Sequence, residues 1–558
     1  MTIRIAIIRR YAVRMLIALG EATAFMAIAL AIQPHSLVIA QPTIEVEDIS
    51  TPATIERIKV QGHTIFSDKK IAKIVRPYKG RKLNFNQLRN ITEAITELYV
   101  SEGYITSGAF LPEQEVLDGT VNVRVIEGKL ENINIEGLKN LQESYVRSLI
   151  GSAQSSLISD TDSKNISDFD RSSPLNIKDI EAELDLLKLN PSIENIEAEL
   201  VKGAQPNSSV LLIEIEETSP FETRLSFDNY RSPSVGEYQL TLQTGYRNIV
   251  GVSDRALAQY NLTEGFDAYS IEYGIPIIAN NGTVSVEYRN GDSKIIEDSF
   301  EDEDIRAESD TFLLQYRQPI IYKSNREFAL GLAFEKQNSK TFVLDQPFSF
   351  TDGPQQGKSV VSVLKLTGDW IERSFRSVYG ISSELNFGLD AFGATVNDNA
   401  PDGLFFSWLG QAQWTQALNR DRNLLLVTRL ASQLSPDSLL PLKQFTLGGV
   451  GTVRGYRQNQ EVGDNAVVGT IETYVPLIDD SIGSSELNLI PFFDGGTVWN
   501  NDGDRSQVLA SLGLALDWQF KEFLLLRVDW GVPLVNTSDR GDSLQDNGFS
   551  FSIQVQPF

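Results

Sequence analysis

The chain contains no cysteine, which excludes disulfides, thiolate nucleophiles and cysteine-held metals. Histidine is almost as scarce, with only His35 and His63 present. His35 lies in a leader expected to be removed, so no histidine-rich metal site can form, and no metal or cofactor is expected. His63, beside Gly62, reads as a solvated turn residue. There is no GxxxxGK(S/T) loop and no glycine-rich dinucleotide fingerprint, so nothing marks a nucleotide site. Positive charge is the minority sign: 49 Lys and Arg face 74 Asp and Glu, a net −25. Such a surface repels phosphate backbones, and no nucleic-acid partner is expected. Beyond the N-terminus no run of about twenty apolar residues occurs, so no transmembrane helix is expected.

What is present points to a folded, multidomain protein. At 558 residues the chain is too long for one core, and 41% hydrophobic with 22% charged residues is a folding composition. Arg4, Arg9, Arg10 and Arg14 precede an apolar stretch from Met15 to about Leu30. Val38 and Ala40 then offer a small-residue cleavage site. Residues 1–40 therefore read as a secretory signal peptide, with Gln41 as the first mature residue. Glu21 departs from the usual pattern, and an uncleaved anchor is the alternative. Residues 41–53 form a short linker bracketed by Pro42 and Pro52.

Residues 54–128 and 129–217 read as two copies of one unit. Each opens with an alternating strand that ends in glycine, residues 55–62 with Gly62 and residues 130–137 with Gly137. Helical spacing follows: Leu88, Ile91, Ile95 and Leu98 within 86–99, then Ile180, Leu184 and Leu187 within 177–189. Each copy closes with a strand pair whose last members are 120–126 and 209–215. The order is β-α-α-β-β in both. The second copy carries a Ser- and Asp-rich insertion, 152–173, read as a mobile loop. Asp160, Asp162, Asp168 and Asp170 within it lack the glycine and terminal glutamate of a calcium loop, so they are not read as a metal site.

From residue 218 the texture changes to alternating strands of about ten residues. About sixteen candidates occur, an even number as closed bacterial barrels need. They centre on Leu225, Leu240, Ala258, Ile271, Val284, Leu314, Leu330, Leu364, Ile381, Leu409, Leu425, Ile471, Leu489, Leu514, Leu526 and Ile553. In the last of them, Phe549, Phe551, Ile553 and Val555 alternate with Ser550, Ser552, Gln554 and Gln556. One strand alone cannot tell a barrel from a soluble sandwich. Connection length can, because it sorts by parity. Residues 419–422 and 521–522 are short turns on one side. Residues 290–310, 338–358, 390–403 and 435–465 are long loops on the other, the asymmetry of periplasmic turns and outer loops. Tyr246, Tyr260, Tyr273, Tyr474 and Trp530 suit interfacial girdles.

The longest outer loop holds Leu447-Gly448-Gly449-Val450-Gly451-Thr452-Val453-Arg454-Gly455-Tyr456. Val453 to Tyr456, VRGY, resembles the sixth-loop hallmark of the BamA-like outer-membrane superfamily. Phe493-Asp494-Gly495, one strand after the loop's return strand, resembles the matching Phe-Asp-Gly segment. The two N-terminal copies resemble polypeptide-transport-associated (POTRA) domains. Together these features resemble the two-partner secretion transporters (TpsB) of the hemolysin secretion/activation type, which carry two such domains. A BamA-like insertase, usually with more of them, is the alternative.

The resemblance implies two α+β POTRA domains followed by a 16-stranded antiparallel transmembrane β-barrel, residues 218–558. It implies an outer-membrane pore with periplasmic POTRA domains and a secreted partner protein. Outer-membrane lipid and the barrel-assembly machinery, which would read the terminal Phe558, are the other expected partners. The chain itself is expected to be a monomer. It further implies that the loop folds back and that Arg454 meets Asp494. Pleat phase agrees, because Asp494 shares a face with Asn488 while Leu487, Leu489 and Phe493 take the other. A planar guanidinium can grip a carboxylate with two parallel hydrogen bonds, here as a partly buried pair. With so short a linker no plug helix is expected, so closure falls to the outer loops. An extended partner could add to an exposed POTRA strand. The candidate groove is Ala109, Phe110 and Leu111 beside Ile91, Ile95 and Leu98. Most carboxylates lie in loops without convergent partners, so an enzyme is not expected. The acidic loop 297–310 could attract divalent ions or lipid headgroups.

Overall fold

A computed structural model of the chain describes residues 3–6, 52–116, 118–150, 173–277, 281–480, 485–503, 506–521, 523–537 and 541–557. They divide into two compact units that meet in sequence between Thr218 and Ser219. The leader lies outside the described residues except Ile3–Ala6, which pairs antiparallel with part of Ile193–Lys202. Residues 41–51 of the linker, residues 152–172 of the insertion with its four aspartates, and Phe558 also lie outside them.

In the first copy, β1 (Arg57–Gln61) runs parallel to β3 (Thr120–Ile126), and β2 (Gly108–Phe110) pairs antiparallel on the other side of β3. Helices α1 (Asp68–Val75) and α2 (Phe85–Ser101) precede β2. The 2-residue period of β3 sends Val121, Val123 and Val125 into the core. The 3.6-residue period of α2 sends Leu88, Ile91, Ile95 and Tyr99 to meet them. Asn84 starts α2 by accepting from the Gln87 N–H at 2.9 Å, while Gln87 accepts from the Asn84 N–H at 3.0 Å. The opening strand is not continuous. It breaks at Glu56, because the Glu56 and Arg57 N–H groups both donate to the Gly119 carbonyl, at 2.8 and 3.0 Å.

The second copy repeats the plan with β4 (Lys129–Glu136), α3 (Glu143–Ile150), α4 (Ile177–Leu187), β5 (Ile193–Lys202) and β6 (Ser208–Glu217). Here β4 is parallel and β5 antiparallel to β6. Two details show that the copies are one design. Gly62 and Gly137 both have positive φ, +90° and +84°. A Cβ on either would sit 2.4 or 2.3 Å from a carbonyl of the last strand, Val125 or Ile215. Two residues beyond those carbonyls stand Glu127 and Glu217. Each carboxylate accepts from the backbone between the first strand and first helix: Thr64 at 2.7 Å for Glu127, Lys139 at 2.7 Å for Glu217. His63 lies in the first of these loops. It is not solvated, because its Nδ1 meets the Phe66 carbonyl at 3.0 Å and its side chain is 12% exposed.

The second unit is a closed barrel of sixteen spanning strands. They are β7 (Phe221–Asp228), β8 (Gln239–Arg247), β9 (Arg255–Leu262), β10 (Phe266–Ile277), β11 (Gly282–Lys294), β12 (Arg306–Lys323), β13 (Arg326–Val343) and β14 (Lys358–Arg373). Then come β15 (Ser377–Leu389), β16 (Phe406–Ala417), β17 (Leu425–Leu434), β18 (Asn465–Asp480), β19 (Ser485–Trp499), β20 (Ser506–Phe520), β21 (Leu524–Pro533) and β22 (Phe549–Val555). Each of the sixteen expected centres falls in a different strand. Neighbours pair antiparallel, and β7 closes on β22 from Leu225↔Val555 to Asp228↔Ser552.

The barrel is inverted relative to a soluble sheet. Ile271, Leu430 and Leu512 are exposed, as are Phe549 and Ile553 of the last strand, whereas Ser550 and Ser552 are buried. An apolar exterior around a polar lumen is what a lipid-embedded cylinder requires. Connections at the end where β7 starts are short, as at 324–325 and 374–376, and those at the other end are long, as at 344–357 and 435–464. Tyr246, Tyr260 and Trp530 face outward. Tyr474 does not. It shares the inward phase of Glu472, and the two side chains meet at 3.4 Å.

Candidate functional site

The 435–464 loop turns back into the barrel. Phe445–Leu447 and Glu461–Gly463 pair as a short antiparallel stem. Beyond the stem, Gly448 and Gly449 have φ of +111° and +91°, values only glycine adopts without strain. The Gly449 N–H donates to the Val453 carbonyl at 3.0 Å, which closes the turn and presents Arg454.

Arg454 is 3% exposed and Asp494 0%, so their contact is fully buried rather than partly. The guanidinium donates from Nε to Asp494 Oδ2 at 2.7 Å and from Nη2 to Oδ1 at 2.8 Å, a two-pronged fit. The Arg454 backbone N–H adds a third bond to Oδ2 at 3.1 Å. Nη1 reaches Glu472 at 2.6 Å and Asp529 at 3.1 Å. The guanidinium carbon lies 3.5 Å from the Phe492 ring centroid, a cation–π contact. Arg429 pairs with Glu472 at 3.0 Å, and Arg527 with Asp529 at 2.9 Å. Arg429, Arg454 and Arg527 thus balance Glu472, Asp494 and Asp529. Five of the six come from β17, β18, β19 and β21, and only Arg454 comes from the loop.

Steric fit completes the seat. Gly455 has φ +88° and lies flat on β21: a Cβ there would be 2.8 Å from the Gly531 backbone, and a Cβ on Gly531 would be 2.7 Å from Gly455 N. Val453 and Tyr456 are buried with Leu447, Val468, Val498 and Leu509. The Tyr456 hydroxyl donates to the Ala510 carbonyl at 2.8 Å and accepts from the Val535 N–H at 3.1 Å. Next along, Arg457 forks onto Asp546 at 2.6 and 2.9 Å and reaches Glu297 at 3.2 Å. Burial alone would raise the Asp546 pKa, but the bonds from Arg457 and Ser543 outweigh it and hold it at about 2.

Several candidate residues fall elsewhere. Phe493 points outward, because it alternates with Asp494, and the aromatic that meets Arg454 is Phe492. Gly495 does not make room for the loop. Gly496 does, since a Cβ there would be 2.8 Å from Leu447 Cδ1. In the candidate groove, Ile91 and Ile95 are 0% exposed and form the core of the first copy. They cannot touch a partner while that core is intact. Leu98, Ala109 and Leu111 are half-buried at its edge, and Phe110 is exposed. Four acids of the outer loop are engaged: Glu297 with Arg457, Asp304 with Lys294 and Arg306, Glu308 with Lys340, and Asp310 with Asn338. Glu472, Asp529, Arg429, Arg527 and Gly531 escape motif matching. Their inward phase on barrel strands was the available signal, but their common height depends on strand register.

Beside the loop tip the lumen opens into a chamber of about 920 Å³, walled by side chains such as Arg224, Gln243, Gln259, Gln413 and Gln554. The seated loop and this amide-lined space lie side by side in the lumen.

Known proteins are similar to this chain in sequence and in fold. The family model described as haemolysin secretion/activation protein ShlB/FhaC/HecB matches residues 207–519, and a ShlB-type POTRA domain model matches 53–128. The outer membrane transporter CdiB of Dickeya dadantii (strain 3937) is 22% identical over 480 residues, 83% of this chain and 79% of that protein. The heme/hemopexin transporter protein HuxB of Haemophilus influenzae (strain 86-028NP) is 22% identical over 537 residues, 89% of this chain and 86% of that one. The solved structure of CdiB from Escherichia coli superposes with a TM-score of 0.65 at 20% identity, covering 92% of both chains.

Proposed function

The chain belongs to the haemolysin secretion/activation family of ShlB, FhaC and HecB, outer-membrane transporters of two-partner secretion, and from that premise we propose that it exports one unfolded partner protein through its barrel without nucleotide hydrolysis. The observation that carries this reading is the buried seat of Arg454. A six-charge cluster that a single loop residue completes is a positional lock, because burying charges contributes little net stability. Released, the loop leaves a wet lumen through which an extended chain can thread.

Capture falls to the periplasmic unit. In the first copy β2 is the sheet edge, and Thr96 Oγ1 of α2 accepts from its Ala109 N–H at 3.0 Å. An extended segment laid in the cleft between β2 and α2 would exchange that bond for a strand-to-strand one, with Phe110 as an apolar contact. Direction needs no nucleotide. A partner domain that folds outside releases about 5–15 kcal/mol, enough to bias passage outward.

The test is Arg454→Ala. Secretion of the partner into the medium is expected to be lost while the barrel still inserts, as judged by heat-modifiable migration, because a tip that no longer seats lies loose in the lumen instead of being moved aside by the partner. Normal export by that variant would end the lock reading.

A further inference from the structure

The loop that carries Arg454 is held a second time, at its root, on another part of the wall. Lys443 Nζ bonds Glu335 Oε1 on β13. Lys365 of β14 holds the other oxygen of Glu335 at 3.1 Å and reaches Glu384 of β15 at 3.4 Å. Glu335 therefore sits between two ammonium groups. In the cylinder β13 lies four strands before β17, where the loop begins, so Lys443 reaches well away from its own strands. Just ahead of it, Leu439 and Leu440 are buried with Val361 and Val363 of β14 and with Phe405. The backbone is tied as well. Asp464 Oδ1 accepts from the Leu439 N–H at 2.9 Å and from Gln444 Nε2 at 3.0 Å. Gln433 Nε2 donates to the Lys443 carbonyl at 3.0 Å.

Root and tip differ in what release would expose. Lifting the root would bare two buried leucines to a wet lumen. Lifting the tip also bares Val453 and Tyr456, but it frees Arg454 and its carboxylates, which water solvates. Between the two lie Gly448 and Gly449, whose positive φ values mark a pliable joint.

We propose that Lys443, clamped on Glu335, is a positioning residue that fixes residues 435–447 as a stationary abutment, so that only the part beyond Gly448–Gly449 leaves its seat. This rests on the lock reading above, and the experiment separates the two. The chain has no native cysteine, so single-cysteine reporters are unambiguous. Val453→Cys reports on the tip and Leu440→Cys on the root. Val361→Cys on the facing strand reports the same root contact from the wall, should Leu440→Cys loosen the cluster by itself. Full-length protein in liposomes, its folding checked by heat-modifiable migration, is treated with a membrane-impermeant maleimide.

In an Arg454→Ala background, labelling at position 453 is expected to accelerate on the order of tenfold or more, while labelling at 440 and 361 changes by less than about twofold. Adding Lys443→Met to Arg454→Ala is then expected to accelerate labelling at 440 and 361 on the order of tenfold. If 440 and 361 accelerate together with 453 in Arg454→Ala alone, the loop moves as one piece and the abutment is wrong while the lock stands. If they stay protected after Lys443→Met, Lys443 is not the anchor. If 453 does not accelerate, the lock itself is wrong, and the division of the loop falls with it.

Discussion

Replacing Arg454 by alanine removes one guanidinium from a balanced set. Arg429, Arg454 and Arg527 face Glu472, Asp494 and Asp529, and the variant leaves three carboxylates with two cations. Arg454 and Asp494 are almost wholly buried, so solvent screening does not discount the loss. Removing one partner of a buried ion pair costs about 3–5 kcal/mol, mostly for the charge left behind. That cost falls on the seated state alone, because water reaches the carboxylates once the tip leaves. At about 1.4 kcal/mol per decade, the seated fraction should fall about a hundred- to several-thousand-fold relative to the unseated one.

Single-channel recording in planar bilayers reads this as open probability, which is expected to rise towards saturation. Arg454→Lys keeps the charge and loses the two-pronged fit, so it should fall between the two. Asp494→Asn added to Arg454→Ala should restore part of the seated fraction, because it removes the carboxylate left without a cation. An Arg454→Ala channel that gates like its parent, in a folded barrel, would refute the reasoning. So would full additivity with Asp494→Asn.

Gly531→Ala keeps every charge but places a methyl about 2.7 Å from Gly455 N, so it should also raise open probability; a silent variant would mean the glycine contact does not hold the tip. Ile271 is 57% exposed on β10, so Ile271→Arg should cost barrel insertion about 2–4 kcal/mol near the bilayer midplane, measured by folding into lipid vesicles, whereas Gln259→Arg in the lumen should be tolerated. Ile91→Ala should destabilise the first POTRA copy by about 2–5 kcal/mol in urea unfolding, whereas Phe110→Ala should leave its midpoint unchanged and weaken partner capture alone. Hydrogen bonds from the 139–141 backbone outweigh burial and lower the Glu217 pKa. Its contribution is therefore complete above the unfolded value of about 4.3 and is lost as pH falls through the lower folded value. Glu217→Gln should cost about 1–3 kcal/mol at pH 7, with the gap closing in acid.

Strand existence was the most legible feature, because each strand reports its own alternation whatever its neighbours do. Pleat phase also puts Asp494 and Phe493 on opposite faces without any knowledge of the fold. What stayed hidden depends on register. Glu472, Asp529, Arg429 and Arg527 are inward charges on three strands, and only the stagger between strands brings them to one height around Arg454. Gly531 is a similar case, since nothing in its neighbourhood of sequence marks the point where a loop from 76 residues upstream lies flat, with Gly455 against it. Helical spacing identified Ile91 and Ile95 as one face of α2 but could not say whether that face meets the core or a partner. The three inward valines of β3 decide it for the core. Tyr474 failed for a local reason: aromatics near strand ends are common on both faces, and its phase follows Glu472.

On the lock reading, why a transporter would close with charge rather than with an apolar plug follows from the two states the loop tip would occupy. An apolar tip seated in the lumen would gain about 25 cal/mol for each Å² it buries and forfeit all of it on release, which favours one state heavily. This tip buries Val453 and Tyr456, but its ion-paired arginine is bought out of water at nearly the value it recovers, so seated and free states stay closer in free energy than for a wholly apolar tip. Such a near-balance can be tipped by the modest binding energy of an incoming chain. The root adds buried Leu439 and Leu440 to its Lys443–Glu335 pair, so its release would cost more and serve nothing. If so, the balance should follow the charge count. Replacing Glu472, Asp494, Asp529, Arg429, Arg454 and Arg527 together with well-packed apolar residues should lock the channel shut, not open it. An open or leaky channel from that variant would show that the cluster adds net stability to the closed state, and that the near-balance is not what permits release.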